Sequence, residues 1–168
     1  MYGTQLYEQD FYLWLTHNAN LLREGRLHQL DIINLVDEIE AMARNEKRAV
    51  NSNLVILLLQ LLKWKFLVMK RNGGWEIQIN LQRRHLHDYL SDSPSLRPHL
   101  DEIFARCYSD ARKLAASDTG FGINVFPALA PFTLEEVLTA DYLPEEPDLD
   151  YLRSVFNTFS QPESAEDK

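Results

Sequence analysis

The sequence predicts an all-α fold: a single-domain helical bundle of about five to seven helices around a central apolar helix at 54–69. Three observations predict it. Gly and Pro leave the uninterrupted intervals 4–24, 26–72, 75–93 and 99–119, all of helical length. None of them carries a sustained period-two alternation. From Leu54 to Met69, 13 of 16 residues are apolar, the pattern of a helix buried on nearly every side.

The first helix is expected from about Tyr7 to Glu24. Phe11, Trp14, Leu15, Leu21 and Leu22 recur at helical spacing, and Gly25 stands where a left-handed C-cap would end the run. Asp31 is a good N-cap for the next interval, which holds neither Gly nor Pro as far as Lys70. As one straight helix those 40 residues would measure roughly 60 Å, against a compact diameter of roughly 40 Å for a chain this long. A bend or break is therefore expected, with Asn51-Ser52-Asn53 the weakest point by propensity. Ile32, Leu35, Val36, Ile39, Met42 and Ala43 share one face of the first half.

Gly73-Gly74 should end the apolar helix. Trp75–Leu90 follows, with Trp75, Ile79, Leu86 and Leu90 inward and Arg83, Arg84 and Asp88 toward solvent. Ser95 can cap a helix that has Pro98 in its first turn and ends near Ser117. The Gly- and Pro-rich run 118–132 reads as a covering loop that inserts Phe121, Val125 and Phe126 into the core edge. Thr133-Leu134-Glu135-Glu136 is a capping box for a short helix. One or two further amphipathic turns are expected after Pro147. The domain spans about 1–160, and 161–168 has the composition of a disordered tail.

Composition narrows the functional classes. One cysteine, Cys107, excludes an intramolecular disulfide and suits a cytoplasmic location, and the N-terminus has no signal-peptide pattern. Lys63 and Lys65 interrupt the apolar run, which argues against a membrane span. The net charge of −8 resides in 131–168, where ten acidic residues face two basic ones. Residues 44–113 hold 13 basic and seven acidic side chains. The acidic total disfavours nonspecific nucleic-acid binding, while a local basic surface stays open.

Two groups of residues are candidate sites. Asp37, Glu38 and Glu40 could supply carboxylates on a bundle helix, but no Glu-x-x-His partner exists, so no metal is expected. Lys63, Trp64, Lys65, Lys70, Arg71, Trp75, Arg83, Arg84 and His85 form a basic and aromatic group that could hold an anion or a single strand. The plainer reading makes the Trp residues core, lets the Lys stems snorkel, and neutralises the patch with the acidic end. Gln60 and Lys63 form a polar stripe with Asn53 on an otherwise apolar helix, the first place to look for a site. Cys107 sits on an apolar stripe and reads as a core residue, and no nucleophile elbow or phosphate loop occurs.

Several motifs together resemble a known family. They include Asp10-Phe11-x-x-Trp14, Leu21-Leu22-Arg23-x-Gly25, Leu30-Asp31-x-x-Asn34-Leu35-x-x-Glu38-Ile39-Glu40 and Leu61-Leu62-Lys63-Trp64. Further along come Trp75, Leu90-x-x-Ser93-Pro94-Ser95-Leu96, Tyr108-x-x-Ala111-Arg112-x-x-Ala115 and Phe126-Pro127. Over about 7–144 the chain is similar to the bacterial family DUF29, of unknown function and common in cyanobacteria and proteobacteria. It departs from the family pattern at Gln60, where members often carry His, and at Ile77-Gln78-Ile79, where they often carry Thr-Ile after the Trp. The resemblance implies a helical bundle in a cytoplasmic bacterial protein and no particular activity. With no complete catalytic constellation and no cofactor motif, the leading expectation is a non-enzymatic domain that binds protein, itself or another. Anion or nucleic-acid binding at the basic group and a carboxylate-dependent hydrolase using Glu38 are the alternatives.

Overall fold

A computed structural model describes residues 2–148 together with Asp150, Tyr151 and Arg153. Among them the fold is all-α, with six α-helices and no strand. These are α1 (Tyr2–Gln9), α2 (Phe11–Arg23), α3 (Ile32–Phe66), α4 (Gly73–Asp92), α5 (Arg97–Thr119) and α6 (Leu134–Leu138). The tail expected over 161–168 lies outside the described residues, as does most of the stretch after Pro147. The chain divides into two compact units, 1–46 and 47–168, and α3 begins in the first and ends in the second.

In the first unit the expected helix 7–24 is two helices. The Asp10 side chain accepts from Leu13 N at 2.9 Å and caps α2, so α1 stops at Gln9. Gly25 takes the left-handed conformation at φ 69°, as a C-cap requires. Trp14 and Leu21 are fully buried, whereas Phe11, Leu15 and Leu22 of the same stripe are exposed. Asp31 knits the unit. Its carboxylate accepts from Trp14 Nε1 at 3.1 Å and Asn34 Nδ2 at 2.8 Å, and its backbone N–H donates to buried Asn18 Oδ1 at 3.1 Å.

No break occurs at Asn51–Asn53, where the sequence led us to expect one; α3 runs through to Phe66 and the chain turns at Leu67–Asn72. The reason is that these amides find partners that leave the helical backbone intact. Asn53 Nδ2 donates to Ala49 O at 2.8 Å, and its Oδ1 lies 3.3 Å from His85 Nδ1. Asn51, with its amide oriented to satisfy its neighbours, donates to Lys47 O and His99 Nε2 and accepts from Arg106.

The core of the second unit is the last half of α3, as the apolar run requires. Leu54, Leu57, Leu58, Leu61 and Leu62 are wholly buried against Ile79 and Leu86 of α4, Leu100 and Ala111 of α5, and Val137 of α6. Lys63 meets Trp75, and Asn53 meets His85, so ten residues along α3 match ten along α4 in the reverse direction. The two helices are therefore an antiparallel hairpin. Gly73-Gly74, expected to end the apolar helix, instead open α4, and Asn72 caps that helix by accepting from Trp75 N at 3.2 Å. Ser95 makes no side-chain cap; a 3-10 turn at Pro94–Leu96 leads into α5, with Pro98 in the first turn. Of the covering loop, Phe126 is fully buried and Val125 partly, but Phe121 stays exposed and Phe132 takes a core place. The capping box at Thr133 forms with both of its hydrogen bonds.

Candidate functional site

The basic and aromatic residues do not form one surface. Lys63 is buried; its Nζ is 2.7 Å from Asp118 Oδ2 and 4.7 Å from the centre of the Trp75 ring. Trp64 instead stacks under the Arg71 guanidinium, whose Nε donates to Trp64 O at 2.8 Å and whose Nη1 pairs with Glu146 at 3.2 Å. Lys65 donates to Glu145 O at 2.8 Å. The acidic C-terminal segment thus absorbs cationic groups of α3 and of the turn after it.

Arg83 differs most from its expected place. Read as a solvent-facing cation, it is only 3% exposed. Its Nε donates to Val137 O at 3.0 Å and its Nη2 to Tyr142 O at 2.8 Å, fastening α6 and the segment after it to α4. Burial lowers its pKa, while the nearby Asp141 works the other way. The guanidinium fork is spent on carbonyls and has little left to offer an anion. Arg84 is exposed on α4.

Gln60 lies on α3 with Oε1 buried and without a hydrogen-bond partner, and Gln82 Oε1 on α4 is in the same condition. His85 lines a cleft of about 370 Å³ with Asn53, Asp88, Tyr89 and Asp92. Asn53, its amide nitrogen engaged by Ala49 O, turns Oδ1 toward His85 Nδ1 at 3.3 Å. Gln60, Lys63, Trp64 and Trp75 do not line that cleft. Glu38 belongs to the first unit, where its carboxylate accepts from the Tyr7 hydroxyl. That bond raises the Tyr7 pKa, with burial adding to it. Among the described residues, no three His, Cys, Asp or Glu gather as a metal site would require. No described helix is long and apolar enough to cross a membrane.

A different feature of the first unit went unrecognised in the sequence. Trp14 and Leu21 are its buried apolar side chains among the described residues, yet large apolar side chains are exposed along both α2 and α3. On α3 these are Ile32, Ile33, Val36, Ile39 and Met42, at 47–78% exposure. All but Ile33 belong to the stripe read from the sequence, of which Leu35 is half-buried. The half-buried side of α3 in this unit carries Leu35 and Ala41 together with the polar Asn34 and Glu38, which meet Asp31 and Tyr7. A signal was present: Ile32, Val36, Ile39 and Ala43 are spaced four, three and four, a coiled-coil seam rather than a broad core stripe. Contiguous apolar exposure beyond a few hundred Å² is uncommon on soluble monomers and marks a contact surface.

Residues 6–143 match the model of a family described as a domain of unknown function, DUF29. No curated protein matches the chain, and no solved structure matches it.

Proposed function

We propose that this chain, which belongs to the DUF29 family, is a cytoplasmic, non-enzymatic interaction domain that docks protein through the apolar face of its first unit. The supporting observation is the apolar exposure there: Ile33, Ile39 and Met42 are each more than 60% exposed, while the polar Asn34 and Glu38 of the same helix are half-buried. Exposing so many large side chains is costly to solubility unless a partner covers them.

Anion binding and carboxylate hydrolysis have weaker support. Lys63 and Arg83 are engaged within the chain, and the Glu38 carboxylate is bonded to a tyrosine. The test is affinity purification of the full chain beside a Val36→Lys, Ile39→Lys variant that keeps its helical circular dichroism. The proposal requires at least one protein, the chain itself included, to be recovered in stoichiometric amount with the wild type and lost with the variant. Identical recovery by both chains would refute it.

A further inference from the structure

We infer that the occupant of this face is a second copy of the chain, the two α3 helices pairing antiparallel about a two-fold axis between residues 37 and 38. The inference rests on the reading of the face as an interface and names its partner. Residues 32–43 are self-complementary in that register. Ile32 of one copy falls opposite Ala43 of the other, and Val36 opposite Ile39, so each seam layer sets a large side chain against a small one or joins two β-branched ones. On the flanks, Ile33 of one copy lies beside Glu40 of the other, and Leu35 beside Met42. A two-fold axis across antiparallel helices brings like flanks together, so every contact is made twice.

Charge within the seam does not oppose this occupant. Glu40 is the one charged residue in the seam and its flanks between 32 and 43, and it is already paired with Arg44 of its own helix at 3.3 Å. Asp37 and Glu38 occupy outer positions, so the pairing sets no two carboxylates face to face. The first unit as a whole holds eight acidic and three basic residues. Two copies therefore repel weakly at a distance, and added salt should tighten the dimer by screening. A basic amphipathic partner would show the opposite salt dependence. The thin core of the first unit adds the motive: a segment of 46 residues with two fully buried large side chains among those described is of the size that association commonly completes.

The test is sedimentation equilibrium of the full chain from low to several hundred micromolar, with cysteine cross-linking to read the register. A monomer–dimer equilibrium is expected, strengthened by sodium chloride and shifted at least tenfold toward monomer by Val36→Lys with Ile39→Lys. In a Cys107→Ala background, mixing Ile32→Cys chains with Ala43→Cys chains should give a disulfide-linked dimer at several times the yield of either alone. A wild-type chain monomeric at all concentrations overturns the inference, and so does equal linking by Ile32→Cys chains alone, which would mean parallel pairing. If the wild type is monomeric yet the double variant still loses other captured proteins, self-pairing fails and the interaction reading stands. If the double variant changes neither, both fail.

Discussion

Lys63 and Asp118, 55 residues apart in the chain, form an ion pair at 2.7 Å in which the lysine side chain is 10% exposed and the carboxylate 52%. The asymmetry decides what each substitution does. Asp118→Ala leaves a buried ammonium with only the Trp75 ring for company, and should destabilise the chain by about 1–2 kcal/mol, the open carboxylate being partly screened by water. Lys63→Met keeps the stem and removes the charge, and should change stability by less than about 1 kcal/mol. Urea unfolding of the two variants checks this. A larger loss for Lys63→Met than for Asp118→Ala would mean that the lysine does more than fill a core edge.

Arg83 makes a stronger claim of the same kind. Arg83→Ala orphans the carbonyls of Val137 and Tyr142 and should cost about 3 kcal/mol. Arg83→Lys should recover only part of this, because a point charge cannot reproduce the fork. Hydrogen exchange should show the loss first in α6. An Arg83 variant of unchanged stability would contradict the assigned role.

Asp31 gives the first unit an acid limit. Burial alone would raise its carboxyl pKa, but bonds from Asn34 and Trp14 outweigh burial and hold it below its ordinary value of 3.8. The stabilisation is thus complete above about pH 3.8 and is lost as pH falls through the lower, folded value. Asp31→Ala should cost about 1 kcal/mol at pH 7, as the loss of an N-cap does, and the gap should narrow below pH 3. Thermal melts followed by circular dichroism at both pH values measure it. A pH-independent gap would show that the carboxylate charge is immaterial.

Cys107 is 2% exposed, and burial raises its thiol pKa. Native protein at neutral pH should react with a thiol reagent at least about 100-fold more slowly than the urea-unfolded chain. Comparable rates would mean that α5 opens readily.

The sequence made the fold legible wherever periodicity and punctuation agreed. The Gly25 cap and the Thr133 box stand where the residues placed them, and the apolar run is the buried helix as far as Phe66, short of the expected end at Met69, which is exposed in the turn that follows. Boundaries that turned on tertiary hydrogen bonds were not legible. Asn51 and Asn53 are poor helix formers in isolation, and only their partners on α4 and α5 explain why α3 does not break. Arg83 looked solvent-facing because a charged residue between two faces of a helix gives no sign that carbonyls of a distant segment will meet it. The apolar face of 32–43 was visible as a face, but which side of a helix is covered depends on its neighbours. Here Asp31 and Glu38 draw the polar side inward toward Trp14 and Tyr7.

In the working protein that face is either covered or bare. Site-specific photo-crosslinking in cells tests this most directly, with a photoreactive residue at Val36 or Ile39 and a control at exposed Asp101 on α5. One discrete cross-linked species, the chain's own dimer, is expected from positions 36 and 39, and none from position 101. Absence of a species from 36 and 39, or the same diffuse products from all three, would contradict it.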